Sequence, residues 1–109
     1  MNNFTVIYKI LRYLEASLDA EEFDDEAISA EKLKITQERW EQLLIMMQDE
    51  GYINGLVITK TLSDTKRHIA EPIQPEITLK GLEYLADNRM MRKAADLLKG
   101  AAGIAGKVL

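Results

Sequence analysis

The 109-residue sequence predicts one α+β domain built from three helices, a small antiparallel β hairpin and a closing helix. Three observations predict it. Thr36 precedes an apolar stripe of Trp40, Leu43, Leu44 and Met47 at helical spacing, and Gly51 follows, so an N-capped helix is stopped by a residue that tolerates a left-handed turn. Tyr52-Ile53 and Leu56-Val57-Ile58 come next and have the aromatic and β-branched content of strands. Ile77-Thr78 then leads into a second capped helical pattern through Leu82, Leu85 and Ala86.

The elements follow in order. Phe4, Ile7, Tyr8, Leu11, Leu14 and Leu18 recur every 3.6 residues, which predicts a first helix over about residues 3–18. Val6, Ile10 and Tyr13 form a second apolar row, so only Lys9, Arg12, Glu15 and Ala16 are left for solvent. Residues 19–26 hold six acids in eight positions, and their mutual repulsion predicts a solvated loop pinned by Phe23. That loop lacks the sixth-position glycine and distal Glu of an EF-hand and is not read as a calcium site.

Ser29 caps a short second helix through about Leu33, with Ile28 and Leu33 as its apolar contacts. Lys34 and Ile35 form the turn into the helix over 36–50, and the pair makes a helix-turn-helix. Asn54-Gly55 is read as a bulge or kink, because too few residues separate it from Gly51 to build a strand. Residues 59–70 are polar at first, with a turn signal at Ser63-Asp64. His68-Ile69-Ala70 returns as a strand that Pro72 and Pro75 restrict to an edge, completing a β wing. Thr78 caps a last helix that is expected to run on to Leu98, beyond which the glycines of residues 100–109 weaken helix formation.

Helix-turn-helix, strand, wing, strand and helix in this order make an α+β winged helix with an extended C-terminal helix. The domain is expected over residues 1–88, with a helix extension and glycine-rich basic tail over 89–109. The pieces Thr36-Gln-Glu-Arg-Trp and Met47-Gln-Asp-Glu-Gly51-Tyr52-Ile53-Asn-Gly55, with Glu76-Ile77-Thr78-Leu-Lys-Gly81-Leu-Glu-Tyr84-Leu85, resemble the YjcQ-like family of small bacterial and phage proteins. Its Thr-x-x-Gly-x-x-Tyr-Leu helix start is matched by Thr78, Gly81, Tyr84 and Leu85. The resemblance implies a regulatory or DNA-binding role of phage or mobile-element origin, and it brings no activity or cofactor with it.

Composition narrows the function. The chain has no cysteine, no run of 18 apolar residues and no basic-then-apolar start, so the expectation is a cytoplasmic protein without a membrane span or secretory signal. No glycine-rich phosphate loop, nucleophile elbow or histidine-carboxylate pair at helical spacing is present. The expectation is therefore no enzyme, no cofactor, no metal and no small-molecule substrate. Residues 1–88 hold nine Lys/Arg against 17 Asp/Glu, a balance of −8, whereas residues 89–109 balance at +4. An acidic body repels a phosphate backbone except at a local patch.

Two surfaces compete for the function. A DNA-binding winged helix would use the helix over 36–50, with Gln37, Arg39 and Gln42, and the wing over 59–70, with Lys60, Lys66, Arg67 and His68. That third helix carries Glu38, Glu41 and Asp49 on its outer side and one cation, Arg39, which disfavours a duplex. The preferred reading is a noncatalytic protein-interaction or regulatory module that pairs with itself as a homodimer or with another protein. Its candidate surface is Val6, Ile10, Tyr13, Ile45, Met90, Met91, Leu97 and Leu98, with Met46 beside Ile45. A third reading has the basic, apolar tail resting on a membrane surface.

Overall fold

Asn2 starts the fold by accepting the Thr5 N–H at 2.8 Å, which caps α1 (Asn3–Ser17). The structure is a computed structural model that describes residues 2–60, 62–63 and 65–88. Val6, Tyr8, Ile10, Leu11 and Leu14 of α1 are buried. Phe4 and Leu18, expected on its apolar stripe, are each 62% exposed, because they lie in the first turn and just past the last turn, beyond the elements that cover the middle.

The acidic stretch is partly ordered into structure. Tyr13 accepts the Asp24 N–H at 3.1 Å through its hydroxyl and meets the Phe23 ring edge-on, with ring centroids 5.8 Å apart. Phe23 thus pins the loop as its position in the sequence suggests. Asp24 then caps a single 3-10 turn, Asp25–Ile28, which takes the end of the run out of the loop.

Ser29 caps α2 (Ala30–Leu33) by accepting the Lys32 N–H, and Ile28 and Leu33 on either side of the cap are both buried. Lys34 turns the chain left-handed at φ 57°, and Thr36 caps α3 (Gln37–Asp49) by accepting the Arg39 N–H. Trp40, Leu43, Leu44 and Met47 face inward as the spacing requires. The Trp40 indole N–H donates to the Ile28 carbonyl at 2.7 Å, which satisfies a buried donor and ties α3 to the turn before α2.

Beyond Gly51 (φ 85°) the expected strand divides. β1 (Ile53–Asn54) pairs antiparallel with β4 (Glu76–Ile77), and β2 (Ile58–Thr59) pairs antiparallel with β3 (His68–Ile69). The division falls at Gly55 (φ 94°), the kink expected from the sequence, so one apolar stretch serves two small sheets. Leu62 and Ser63 lie in a turn, and Asp64 is outside the described residues.

α4 (Leu79–Asp87) closes the domain, with Asn88 as its C-cap. The expected continuation to Leu98 and the domain division at residue 89 lie outside the described residues. Thr78 makes this junction tight. Its hydroxyl donates to the Gly51 carbonyl and accepts the Gly81 N–H, and its own N–H donates to the Tyr52 carbonyl. A β-carbon at Gly81 would collide with that same Tyr52 carbonyl and with Ile77, so the helix approaches the strand at a distance only glycine allows. Tyr84 packs on Tyr52 with centroids 5.0 Å apart, Lys80 stands 5.7 Å over the Tyr52 ring, and Leu85 enters the core. The Thr-x-x-Gly-x-x-Tyr-Leu pattern is therefore a docking device between α4 and β1.

The architecture is α+β, helices with two small antiparallel two-stranded sheets around one core, and its order is compatible with a winged helix. Two interface expectations are corrected by this core. Val6 and Ile10 are fully buried, because α3, β4 and α4 cover α1 from within the chain. The second apolar row of α1 therefore gives no reason for two copies to pair. Ile45, expected on the outer side of α3, is 1% exposed.

Candidate functional site

The burial of Ile45 has a geometric cause. Residues of an α-helix follow each other at about 100°, which places Glu41, Ile45 and Asp49 in one row on the side away from the Trp40 and Leu43 stripe, with Gln42 and Gln48 beside it. β3 packs on α3, and Ile45 and Ile69 join the same buried cluster. The polar neighbours of Ile45 then hold the hairpin down. Glu41 accepts the Ile69 N–H at 2.9 Å with one carboxylate oxygen and lies 2.8 Å from His68 Nδ1 with the other. Gln42 donates to the Arg67 carbonyl at 3.0 Å. Asp49 receives both arms of the Arg67 guanidinium, at 3.1 and 2.6 Å.

Gln48 acts at the entry to the hairpin. Its side-chain amide accepts the Leu56 N–H at 2.8 Å and donates to the Leu56 carbonyl at 3.2 Å, pairing with the chain as a neighbouring strand would. Gln48 thereby satisfies the backbone N–H and carbonyl of Leu56, next to the kink at Gly55. α3 is thus packed on two faces, against the core and against its own hairpin.

The ion pair at the edge leaves an electrostatic mark. Hydrogen bonding from Arg67 holds the Asp49 carboxyl below its ordinary value, and the same contact raises the Arg67 guanidinium. At the α4 junction the sign is opposite for an acid: burial, then the neighbouring Tyr52, raises the Tyr84 phenol.

The candidate duplex contacts therefore separate into two groups. Gln42, Arg67 and His68 are engaged inside the protein by the hairpin-to-helix contacts. Gln37 and Arg39 are exposed at the start of α3, and Lys60 and Lys66 are exposed on the hairpin. Among the candidate protein contacts, Tyr13 is half-buried and serves the acidic loop, Val6, Ile10 and Ile45 are core, and Met90, Met91, Leu97 and Leu98 lie outside the described residues. Met46, half exposed, is the apolar side chain that α3 shows to solvent.

Residues 8–103 match the YjcQ protein family, a span that includes most of α1, the helix-turn-helix, both sheets and α4. The chain belongs to the YjcQ family. No curated protein and no solved structure matches it.

Two surface grooves complete the description of this YjcQ-family chain. One, of about 470 Å³, is lined in part by Asp25, Glu26, Trp40, Glu71, Pro72 and Ile73. The other, of about 340 Å³, includes Leu18, Glu21, Glu22, Phe23, Pro75 and Glu76. The sequence predicts a solvated loop over residues 19–26 and an edge strand over residues 68–70 limited by Pro72 and Pro75, and neither expectation joins the two segments. Residues 19–26 and 70–76 both mix acids with apolar side chains, without a regular period. No helix among the described residues is long and apolar enough to cross a membrane.

Proposed function

We propose that this YjcQ-family chain is a noncatalytic binding module of winged-helix type that engages a protein partner in a regulatory role. The observation that carries this reading is the seating of the hairpin on α3. In a winged helix that reads a duplex, the third helix enters the major groove and its outward side chains reach base edges and phosphates. Here the side away from Trp40 is taken up by the chain's own residues 56 and 67–69, held by Glu41, Gln42, Gln48 and Asp49. The positions left open on α3 and its C-cap include Glu38, Arg39, Met46 and Glu50, a mixed surface with one cation. Phosphate binding draws its strength from several convergent cations, and the hairpin's Arg67 is already paired with Asp49.

The test is a titration of a fluorescently labelled, mixed-sequence DNA duplex at low ionic strength. The module read as a protein binder gives no saturable anisotropy change. Tight binding that weakens steeply with added salt and disappears in the Lys60→Ala/Lys66→Ala double variant would overturn the reading in favour of a DNA-binding regulator.

A further inference from the structure

The two grooves belong to one seam. Along the chain from Leu18 to Ala30, the first part (Leu18, Glu21, Glu22, Phe23) lines one groove and the second part (Asp25, Glu26, Ala30) lines the other. Along residues 71–77 the order is reversed, with Glu71, Pro72 and Ile73 at the second groove and Gln74, Pro75 and Glu76 at the first. The two segments therefore run side by side in opposite directions, and the grooves lie end to end along the line between them.

The chemistry of the seam is consistent from end to end. Apolar side chains form its walls, including the half-buried Phe23, the buried Ile73 and Pro75, and the exposed Leu18. Six carboxylates, Glu21, Glu22, Asp25, Glu26, Glu71 and Glu76, border it, and among the described residues no lysine, arginine or histidine lines either groove. The ion pairs among the described residues involve Glu15, Glu41 and Asp49, none of which lines either groove. Six like charges around an apolar trough raise its electrostatic energy, and an arriving cation lowers it.

We infer that the seam between residues 18–30 and 71–77 is a docking surface for an extended segment of a partner protein in which Lys or Arg alternates with apolar residues. In an extended chain successive side chains point to opposite sides, so apolar residues can face the trough while cationic ones reach the bordering carboxylates. Charge complementarity selects this occupant over nucleic acid and over an acidic peptide, both of which the six carboxylates repel. The inference rests on the protein-partner reading given above and names the surface that carries it.

The experiment uses the full chain and a synthetic decapeptide of alternating lysine and leucine, with an alternating glutamate and leucine decapeptide as control. Binding is read by amide chemical-shift mapping and by calorimetry. Two double charge reversals are compared: Glu26→Lys/Glu71→Lys in the seam, and Glu38→Lys/Glu50→Lys on α3, which change net charge equally. The expected result is that the lysine peptide shifts amides of residues 18–30 and 71–77 and the glutamate peptide does not. The seam reversal weakens the lysine peptide by about tenfold or more and the α3 reversal changes it less than about threefold. Three results overturn the inference: no binding of the lysine peptide, equal weakening by both reversals, or binding that emerges only after Arg89, Arg92, Lys93 and Lys99 are neutralised, which would make the chain's own basic segment the occupant. Equal weakening removes the seam alone, whereas saturable, salt-sensitive duplex binding removes the protein-partner reading itself.

Discussion

Two of the junctions between β elements and helices in this protein are built from different chemistry. The α4–β1 junction is close-packed: Gly81 lets the helix meet the Tyr52 carbonyl, Thr78 bridges Gly51 and Gly81, and two tyrosines stack across it. The α3–hairpin junction has buried Ile45 on its helix and buried Ile69 on its strand, with polar clamps from Glu41, Gln42, Gln48 and Asp49. The first joins the residues of one short pattern, Thr78, Gly81 and Tyr84, to Gly51 and Tyr52, with Thr78 and Gly51 27 positions apart. The second joins side chains of α3 to backbone up to 28 positions away. The difference shows that a helix face rich in glutamate and glutamine is not thereby a solvent face or a reading face; it can be the seat of the protein's own hairpin.

Substitutions separate the two junctions, and the largest effect should come from removing what both depend on. Trp40→Ala takes away a buried indole that fixes α3 and leaves the Ile28 carbonyl without its donor, so the melt should fall by about 3–5 kcal/mol of stability. A loss below 1 kcal/mol would break the account of the core. Gly81→Ala should cost about 3 kcal/mol, the upper part of the range for overpacking, because the obstructing atom is backbone carbonyl and has nowhere to move. Helix propensity alone predicts the opposite, a gain of about 1 kcal/mol, so the sign of the change decides between them.

Glu41→Ala should cost about 2 kcal/mol, since it strips the Ile69 N–H of its acceptor within a partly buried site. Amide exchange at Ile69 should accelerate in this variant while residues of α4 keep their protection. The smallest effect belongs to Arg67→Ala at an exposed pair, and pH sharpens it. Asp49 has its folded pKa lowered, so the pair's stabilisation is present at neutral pH and is lost as acid titrates Asp49 below the ordinary carboxylate range. The Arg67→Ala and parent melting curves should therefore converge in acid and in high salt. Tyr84 runs the other way. Its folded pKa is raised, so the α4 junction holds below the ordinary tyrosine range and weakens as pH climbs through the folded value.

Much of the scaffold was legible in the sequence because its signals are local. Ser29, Thr36 and Thr78 each cap a helix by accepting the N–H three residues on, Gly51 turns left-handed where the helix must stop, and Gly55 kinks the strand. Trp40 and its stripe were fixed by spacing alone. Ile45 was misjudged for a physical reason: its position on the helix places it opposite the first stripe, and nothing within one turn indicates that residues 58–69 fold back over it. Val6 and Ile10 failed in the same way, since their cover comes from α3, β4 and α4, distant in sequence. The seam between residues 18–30 and 71–77 was equally hidden, because neither segment has a periodic pattern and their antiparallel approach is set by the core beneath them.

The central claim, that the hairpin closes the outer face of α3, can be tested in a chain that has no cysteine of its own. Ile45→Cys and Met46→Cys, made singly, place neighbouring thiols on the two sides of that closure, one fully covered and one half exposed. Under native conditions the thiol at position 46 should react with Ellman's reagent at the rate of an exposed cysteine, and the thiol at position 45 should react only once denaturant opens the hairpin. Equal, rapid reaction at both positions in a folded protein would show that face to be open and would contradict the account.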